Sequence, residues 1–418
     1  MKALILGLGV SGLPTANLLK RRGYEVYYYD KKVVNNEFKR IQISDLKSDE
    51  MFFDIVIKSP GIKNTSLVCD LASLKTFDFT NDIEYAFRLM PKNITIIAIT
   101  GTNGKTTLAN YVYTLLKECT VNCFLCGNIG ISPIKYIDKF KENSYVVMEL
   151  SSFQIDLLKE FHPRVVVITN IYPNHLDMVS CSHYYLSKYR LVHLLKKDDF
   201  LFFNQELKNK INSNLPCIYN PYEDLFSIKN RSIFFKSQKI IDGPTLNRFE
   251  MNHLLLALRI AYCFFPNIEW LKDGAKKIKK VQYRLESIPC NYPLIMINDA
   301  KSSNAQSLVH ALKEYKDQKK IVIVGGINKS SGFEDIILNE DDIVFGFGRD
   351  GKNIISLLKR GEYFMTLKEI MYTIKNRKYK DRIVLFSPAC SSFDQYDNYI
   401  SRGKEFTFLV KEIFYEHE

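Results

Sequence analysis

The stretch Thr100-Gly-Thr-Asn-Gly-Lys-Thr-Thr107 follows the apolar run Ile94–Ile99 and precedes the helical stretch Leu108–Lys117. A glycine-rich turn leading from a buried strand into a helix aims backbone N–H groups and the helix dipole at phosphate. Gly101, Thr102, Asn103, Gly104 and Thr107 supply the cradle. Lys105 is placed to reach the outer phosphates, and the Thr106 hydroxyl to ligate Mg²⁺. The match to G-x-x-x-x-G-K-[ST] is incomplete, because its first glycine would fall at position 99, which is Ile. Gly-Lys-Thr is a common string by chance. Its strand–turn–helix setting is what predicts a nucleotide site.

Outward from this turn, short apolar runs alternate with helical stretches along the chain. They are Ala3–Leu6, Val26–Tyr29, Ile55–Ile57, Tyr145–Met148, Val165–Ile168, Leu294–Ile297, Ile321–Val324, Ile343–Phe345 and Ile383–Phe386. Nearly continuous apolar runs between helices are the mark of parallel strands buried on both faces. The fold class is therefore α/β. Three segments each carry a strand followed by a glycine turn: GLGVSG, ITGTNGKTT and VIVGGINK. We expect three domains, 1–90, 91–282 and 283–418, with boundaries near Met90–Pro91 and Val281–Glu286. Residues 200–247 lack a clear period and read as short strands and loops within the second domain.

The 418 residues exceed one ordinary core. Hydrophobic residues at 46% and charged residues at 25% fit a water-soluble globular chain. No apolar run approaches the roughly 20 residues that cross a bilayer. The opening MKALILGLGVSG reads as a first strand and turn, not a signal peptide. Nine cysteines, an odd number and scattered, suggest reduced thiols in a cytoplasmic protein. Cys123 and Cys126 form a C-x-x-C with no second pair at zinc spacing. The formal charge of +12 is spread along the chain, which favours anionic small molecules over nucleic acid as partners.

The N-terminal Gly7-x-Gly9-x-x-Gly12 follows the first strand, and Asp30 ends the second. Alone, this is the Rossmann-type dinucleotide fingerprint and suggests NAD. A glycine turn at a first strand also accepts other phosphorylated ligands or simply permits tight packing. Beside a separate nucleotide loop, a uridine-diphosphate sugar is the expected occupant, and NAD is not.

An ordered set of further motifs makes the reading specific: Ser59-Pro-Gly-Ile62, Gly127-Asn-Ile-Gly130, Glu149-Leu-Ser-Ser-Phe-Gln154, Thr169-Asn-Ile171, His175-Leu-Asp177, Asn298-Asp-Ala-Lys301, Gly325-Gly-Ile-Asn-Lys329, Phe347-Gly-Arg-Asp350 and Ser387–Gln395. With the two glycine turns they resemble the Mur ligase family, and within it the members that add D-glutamate. The resemblance runs from Gly7 to Gly403. It implies three α/β domains, Rossmann-like, P-loop ATPase-like and Rossmann-like, which bind a UDP-sugar, ATP and an amino acid respectively. It implies UDP-N-acetylmuramoyl-L-alanine, D-glutamate and ATP as substrates, with two Mg²⁺ ions, no membrane insertion and a monomer.

Residue roles implied by the resemblance are these. Lys105, Glu149, His175 and Lys188 are catalytic, and Thr106, Glu149, His175 and an N-carboxylated Lys188 hold metal. Asn252, Arg284 and Asp299 join the glycine turn in binding ATP. Val10, Ser11, Asp30, Ser59, Pro60, Gly61, Ile62, Asn128 and His175 hold the UDP-sugar. Ser303, Lys329, Ser392 and Phe393 hold D-glutamate. Glu149 also reads from residue type alone as a Mg²⁺ ligand, since it ends an apolar strand. Asn174, Met178, Arg248, Phe249 and Tyr283 depart from the family pattern and bear on the metal and adenine contacts. A sister ligase, folate-directed or adding another amino acid, and an NAD-dependent oxidoreductase are the alternatives. The segment Ser387–Gln395 speaks against the first and the Thr100–Thr107 turn against the second.

Overall fold

The computed structural model describes residues 1–173, 180–203, 207, 215–242 and 246–415. Its first sheet contains β1 (Lys2–Leu6), β2 (Glu25–Tyr29), β3 (Lys39–Arg40), β4 (Ile55–Lys58) and β5 (Phe79–Asn81). All pair in parallel, in the order β3-β2-β1-β4-β5. The order reverses direction beside β1, so a crevice opens at the carboxyl ends of β1 and β4, where such sheets bind ligands. Leu4, Leu6 and Val56 anchor one of its cores.

The second sheet is built from β6 (Thr95–Thr100), β7 (Cys123–Gly127), β8 (Tyr145–Glu149), β9 (Val165–Ile168), β10 (Phe200–Phe203) and β11 (Ile218–Tyr219). It too is parallel, ordered β11-β10-β9-β6-β8-β7. Ile96–Ile99, Val146–Met148 and Val165–Ile168 are fully buried, which is why these strands read as unbroken apolar runs. Within 200–247, the antiparallel strands β12 (Phe226–Lys229), β13 (Ser232–Phe235) and β14 (Gln238–Asp242) form a small separate sheet.

The third large sheet holds β15 (Glu286–Ile288), β16 (Leu294–Asn298), β17 (Lys320–Gly325), β18 (Ile343–Phe347), β19 (Glu362–Phe364) and β20 (Arg382–Phe386). Its order is β15-β16-β20-β17-β18-β19, parallel except for the edge strand β15. It carries a hydrophobic core on each face.

The chain divides into two compact units. One comprises Met1–Ile171, Ser182–Pro244 and Phe249–Ile278; the other comprises Tyr172–Cys181, Thr245–Arg248 and Lys279–Glu418. The first two sheets thus share a unit, joined by buried polar contacts. Asn81 Nδ2 donates to the Gln154 carbonyl at 2.7 Å, and Ser132 Oγ to Asp82 at 2.6 Å. The fully buried Glu84 accepts the backbone N–H groups of Lys159, Glu160 and Phe161. Charge-assisted bonds to backbone donors of this kind are among the stronger ones.

Candidate active site

The predicted strand and helix around the glycine turn are β6 and Lys105–Cys119. Gly101 has φ +144°, and a Cβ there would lie 2.0 Å from Thr169 Oγ1. Gly104 has φ +85° and is faced by His253, whose Nε2 would stand 2.2 Å from a Cβ. Both positions therefore require glycine. The turn is held from the end of β9: Asn103 N–H donates to Asn170 Oδ1 at 2.9 Å, while Asn170 Nδ2 and Thr169 Oγ1 donate to the Asn103 carbonyl. Lys105 Nζ donates to the Gly101 and Thr102 carbonyls at 2.7 and 2.9 Å.

Sheet order brings three distant motifs together here. β8 lies between β6 and β7, so Glu149 ends between the turn and Gly127-Asn128. Thr106 Oγ1 donates to Glu149 Oε2 at 2.7 Å, and Asn128 Nδ2 donates to Oε1 at 2.9 Å. The Asn128 N–H also donates to the Glu149 carbonyl. A hydroxyl beside a buried carboxylate is a donor set for a hard cation. Mg²⁺ ordinarily takes one or two carboxylates and completes its shell with water and phosphate oxygens. The residues present fit an ion shared with ATP. Among the described residues no cluster of three or more His, Cys, Asp or Glu would hold an ion by itself.

Lys188, in the helix Cys181–Val192, is 1% exposed. Its Nζ donates to the Gly101 carbonyl at 3.1 Å and lies over the Tyr184 ring. Tyr184 OH in turn lies 3.1 Å from Thr102 Oγ1. Burial holds the Lys188 pKa well below its ordinary value, and Lys105 nearby pushes it the same way. Asn252 is exposed on the helix Arg248–Tyr262, whose Phe249 and His253 pack on Gly104. His175, with Asn174 and Met178, lies outside the described residues.

The residues expected to hold the UDP-sugar, His175 aside, line one cavity of about 440 Å³ in the first unit. Gly7, Gly9, Val10 and Ser11 form one side, Asp30 another, and Ser59–Ile62 and Asn128 close it. Ser59 Oγ donates to the Gly7 carbonyl at 2.7 Å and ties the two loops. Asp30, expected among the UDP-sugar residues, lines the cavity while its carboxylate is engaged by the protein's own backbone. Its Oδ2 accepts the Leu8 N–H, and its Oδ1 accepts those of Lys32 and Val33, so the carboxylate clamps two loops.

In the second unit, Asp299 follows β16 and is 3% exposed. Ser387 Oγ donates to it at 2.8 Å. Burial raises its pKa to about 6, against the opposing pull of Arg284, Ser387, the Leu285 N–H and Arg402. Ser303 is exposed after β16, and Lys329 Nζ lies 5.9 Å from the centre of the exposed Phe393 ring. Ser392 is buried beside it at the end of the Ser387 loop, where Ala389 has φ +59°. Arg402 was not singled out by sequence. It is 1% exposed and donates through Nη2 to the Ala300, Ser302 and Cys390 carbonyls, fixing the loops that carry Asp299 and Ser392.

Residues 99–249 match the family model of the Mur ligase middle domain. A UDP-N-acetylmuramoylalanine--D-glutamate ligase of Aquifex aeolicus is 31% identical to this chain, the match covering 98% of this chain and 99% of the relative. The chain belongs to the Mur ligase family. A ligase of the same description from Buchnera aphidicola subsp. Schizaphis graminum is 31% identical over 99% of this chain and 98% of its own. Among solved structures, the MurF ligase of Thermotoga maritima in complex with ADP has a TM-score of 0.58 at 17% identity, covering 98% of this chain and 94% of that one. That likeness carries the fold alone. As a Mur ligase the protein is an ATP-dependent ligase of peptidoglycan precursor synthesis. The burial of Cys123 and Cys126 pushes both thiols up, Cys123 to about 12, so neither offers a thiolate near neutral pH.

Proposed function

We propose that this Mur ligase joins D-glutamate to UDP-N-acetylmuramoyl-L-alanine, with ATP converted to ADP and phosphate. The observation that carries the reading is the full-length likeness to ligases described by that reaction, from Aquifex aeolicus and Buchnera aphidicola. Residues 1–90 are read as the UDP-sugar domain, 91–282 as the ATP domain and 283–418 as the amino-acid domain. The protein is read as a cytoplasmic monomer that takes small molecules and no nucleic acid. No helix among the described residues is long and apolar enough to cross a membrane.

A free carboxylate is too poor an electrophile to form an amide. The alanyl carboxylate oxygen attacks the γ-phosphorus of ATP, ADP leaves, and an acyl phosphate results. The amine of D-glutamate then attacks the acyl carbon, the tetrahedral species expels phosphate, and the amine proton is lost. Lys105 offsets charge on the transferring phosphoryl group, and the turn's N–H groups fix its direction. Thr106 and Glu149 hold Mg²⁺, with His175 and a carbamate on Lys188 read as ligands of a second ion. When bound, Mg²⁺ lowers the charge barrier between two anions. Burial shifts Lys188 toward the neutral amine, the form that adds CO₂ with loss of a proton. Lys329 faces the far carboxylate of D-glutamate, with Ser303, Ser392 and Phe393 around it. Arg284, Asp299 and Asn252 serve the nucleotide.

The test is phosphate release measured with each substrate omitted in turn. Release that needs both UDP-N-acetylmuramoyl-L-alanine and D-glutamate is expected. Equal turnover with L-lysine or diaminopimelate in place of D-glutamate would overturn the substrate assignment.

A further inference from the structure

Lys58 ends β4 and is 1% exposed. Its Nζ donates to the Ser59 carbonyl at 3.1 Å and to the Ile62 carbonyl at 2.6 Å. These residues are the two ends of the loop that lines the 440 Å³ cavity. The charged or titratable groups around the ammonium are Cys69 on the helix Leu67–Ser73, Asp82 at the start of the helix Asp82–Leu89, and Asp156 after the helix Ser152–Ile155. None of them is an ion-pair partner. Asp82 is buried and accepts the Ser132 hydroxyl, and burial favours its neutral form. Asp156 accepts from Asn64, His183 and Ser187. Burial in turn lowers the Lys58 pKa.

A buried ammonium satisfied by carbonyls alone, with no close anion, is costly to keep. Two features on the cavity side make that cost useful. The glycine turn feeds the N-terminus of the helix Gly12–Arg21, which favours negative charge. The loop that Lys58 braces is tied to the same turn through Ser59 and Gly7. Asp156 and Asp82 act on Lys58 through space and not as ion-pair partners, so an anion lodged in the cavity would add to a countercharge that is only partly met. We infer that Lys58 is a positioning residue for the diphosphate of the nucleotide-sugar: it shapes the Ser59–Ile62 loop from behind, and its buried charge complements the incoming polyanion. The inference rests on the cavity being the UDP-sugar site.

The sign of the linkage follows. An arriving diphosphate raises the proton affinity of Lys58, so binding takes up a proton between its free and bound pKa values. Affinity is full below the free value and falls as pH rises through that interval. Calorimetric titration of the full chain with UDP-N-acetylmuramoyl-L-alanine, from neutral to alkaline pH and in buffers of different ionisation enthalpy, reads both effects. Wild type is expected to take up protons on the alkaline side. Lys58→Met should bind roughly ten- to a hundredfold more weakly and lose that uptake, the size of one charge-assisted contact. It should raise the nucleotide-sugar KM and leave that of ATP. Lys58→Arg should retain most affinity without proton uptake, because guanidinium stays charged. Unchanged affinity in Lys58→Met, or weaker binding with proton uptake intact, would reduce Lys58 to a structural brace. If Lys58→Met does not fold, wild type against Lys58→Arg decides by proton uptake alone. Absence of any saturable binding by wild type would instead remove the cavity assignment itself.

Discussion

The first and second sheets carry the same device, a glycine turn from the carboxyl end of a parallel strand into a helix, and use it differently. In the turn at Gly101–Gly104 the charged groups stand on the loop or touch it: Lys105 within it, Lys188 on the Gly101 carbonyl, Glu149 on Thr106. In the turn at Gly7–Gly12 no ionisable side chain stands within the loop; the Asp30 carboxylate accepts the Leu8 N–H, and a buried cation, Lys58, is held behind the adjoining loop. A glycine turn supplies shape and N–H donors for phosphate. Whether the phosphate is moved or merely held depends on which charges surround it. The first arrangement suits chemistry and the second suits retention.

The largest effect should come from removing the cation in the chemical turn. Lys105→Ala is expected to lower kcat/KM by about a thousandfold or more, the scale set by a positioned cation in phosphoryl transfer. Its melting temperature should stay close to wild type, since the Nζ donates to loop carbonyls of the turn and not to the core of the sheet. Activity within a few-fold of wild type would break the contrast between the turns.

Asp299 sharpens the comparison with Glu149, since both end parallel strands. Its carboxyl pKa is raised from 3.8 to about 6 by burial, so the folded state favours the protonated acid. The linked stability is present below the unfolded value and is lost as pH rises through about 6. The rise corresponds to about 3 kcal/mol. Denaturation of nucleotide-free protein should show Asp299→Asn gaining on wild type by about that amount above pH 6, with the difference closing near pH 4. A difference that does not depend on pH would mean that folding does not shift the Asp299 pKa.

The third turn, Gly325-Gly326, tests whether a lysine just past a turn serves the amino acid. Lys329→Ala is expected to raise the KM of D-glutamate by an amount equivalent to roughly 2–3 kcal/mol, as for a lost charge-assisted hydrogen bond. The KM of ATP should move far less. Equal shifts in both would return Lys329 to a general role in folding.

The strands were legible because burial on both faces leaves an unbroken apolar run, as in Val165–Ile168. The two-residue edge strand β3 carries no such run, and β11 and the antiparallel strands from Phe226 to Asp242 were legible only as unplaced short strands within 200–247. In the candidate site, the Thr100–Thr107 turn was legible because its chemistry is local. That Glu149, Thr106 and Asn128 would meet depends on β8 lying between β6 and β7, which no spacing along the chain states. Lys58 was missed for a different reason: a lysine that ends a strand reads alike whether it is buried or solvated. His253 was likewise passed over, although Phe249-x-x-x-His253 puts both rings on one helix face against Gly104, and Asn170 stood in the Thr169–Ile171 motif without a role.

The smallest effect separates two glycines within the N-terminal turn. A Cβ on Gly12 would stand 1.9 Å from the Gly7 carbonyl oxygen and 2.9 Å from Ser59 Oγ, so this glycine lets the helix Gly12–Arg21 approach the strand end. Gly12→Ala should cost about 1–3 kcal/mol of stability, the range for forced overpacking. Gly9 lines the cavity with nothing within 4 Å of its Cβ position, and its φ lies outside the left-handed region. Gly9→Ala should therefore stay within about 0.5 kcal/mol of wild type, or gain slightly by restricting the unfolded chain. If the cavity is where a ligand's phosphates approach the backbone, the same methyl group should still weaken nucleotide-sugar binding. Thermal melts of both variants with and without UDP-N-acetylmuramoyl-L-alanine separate the two costs, because a ligand stabilises by mass action only as far as it binds. A destabilised Gly9→Ala that binds normally would make Gly9 a packing residue like Gly12. A stable Gly9→Ala with a smaller ligand-induced shift would mark it as the point where the turn meets phosphate.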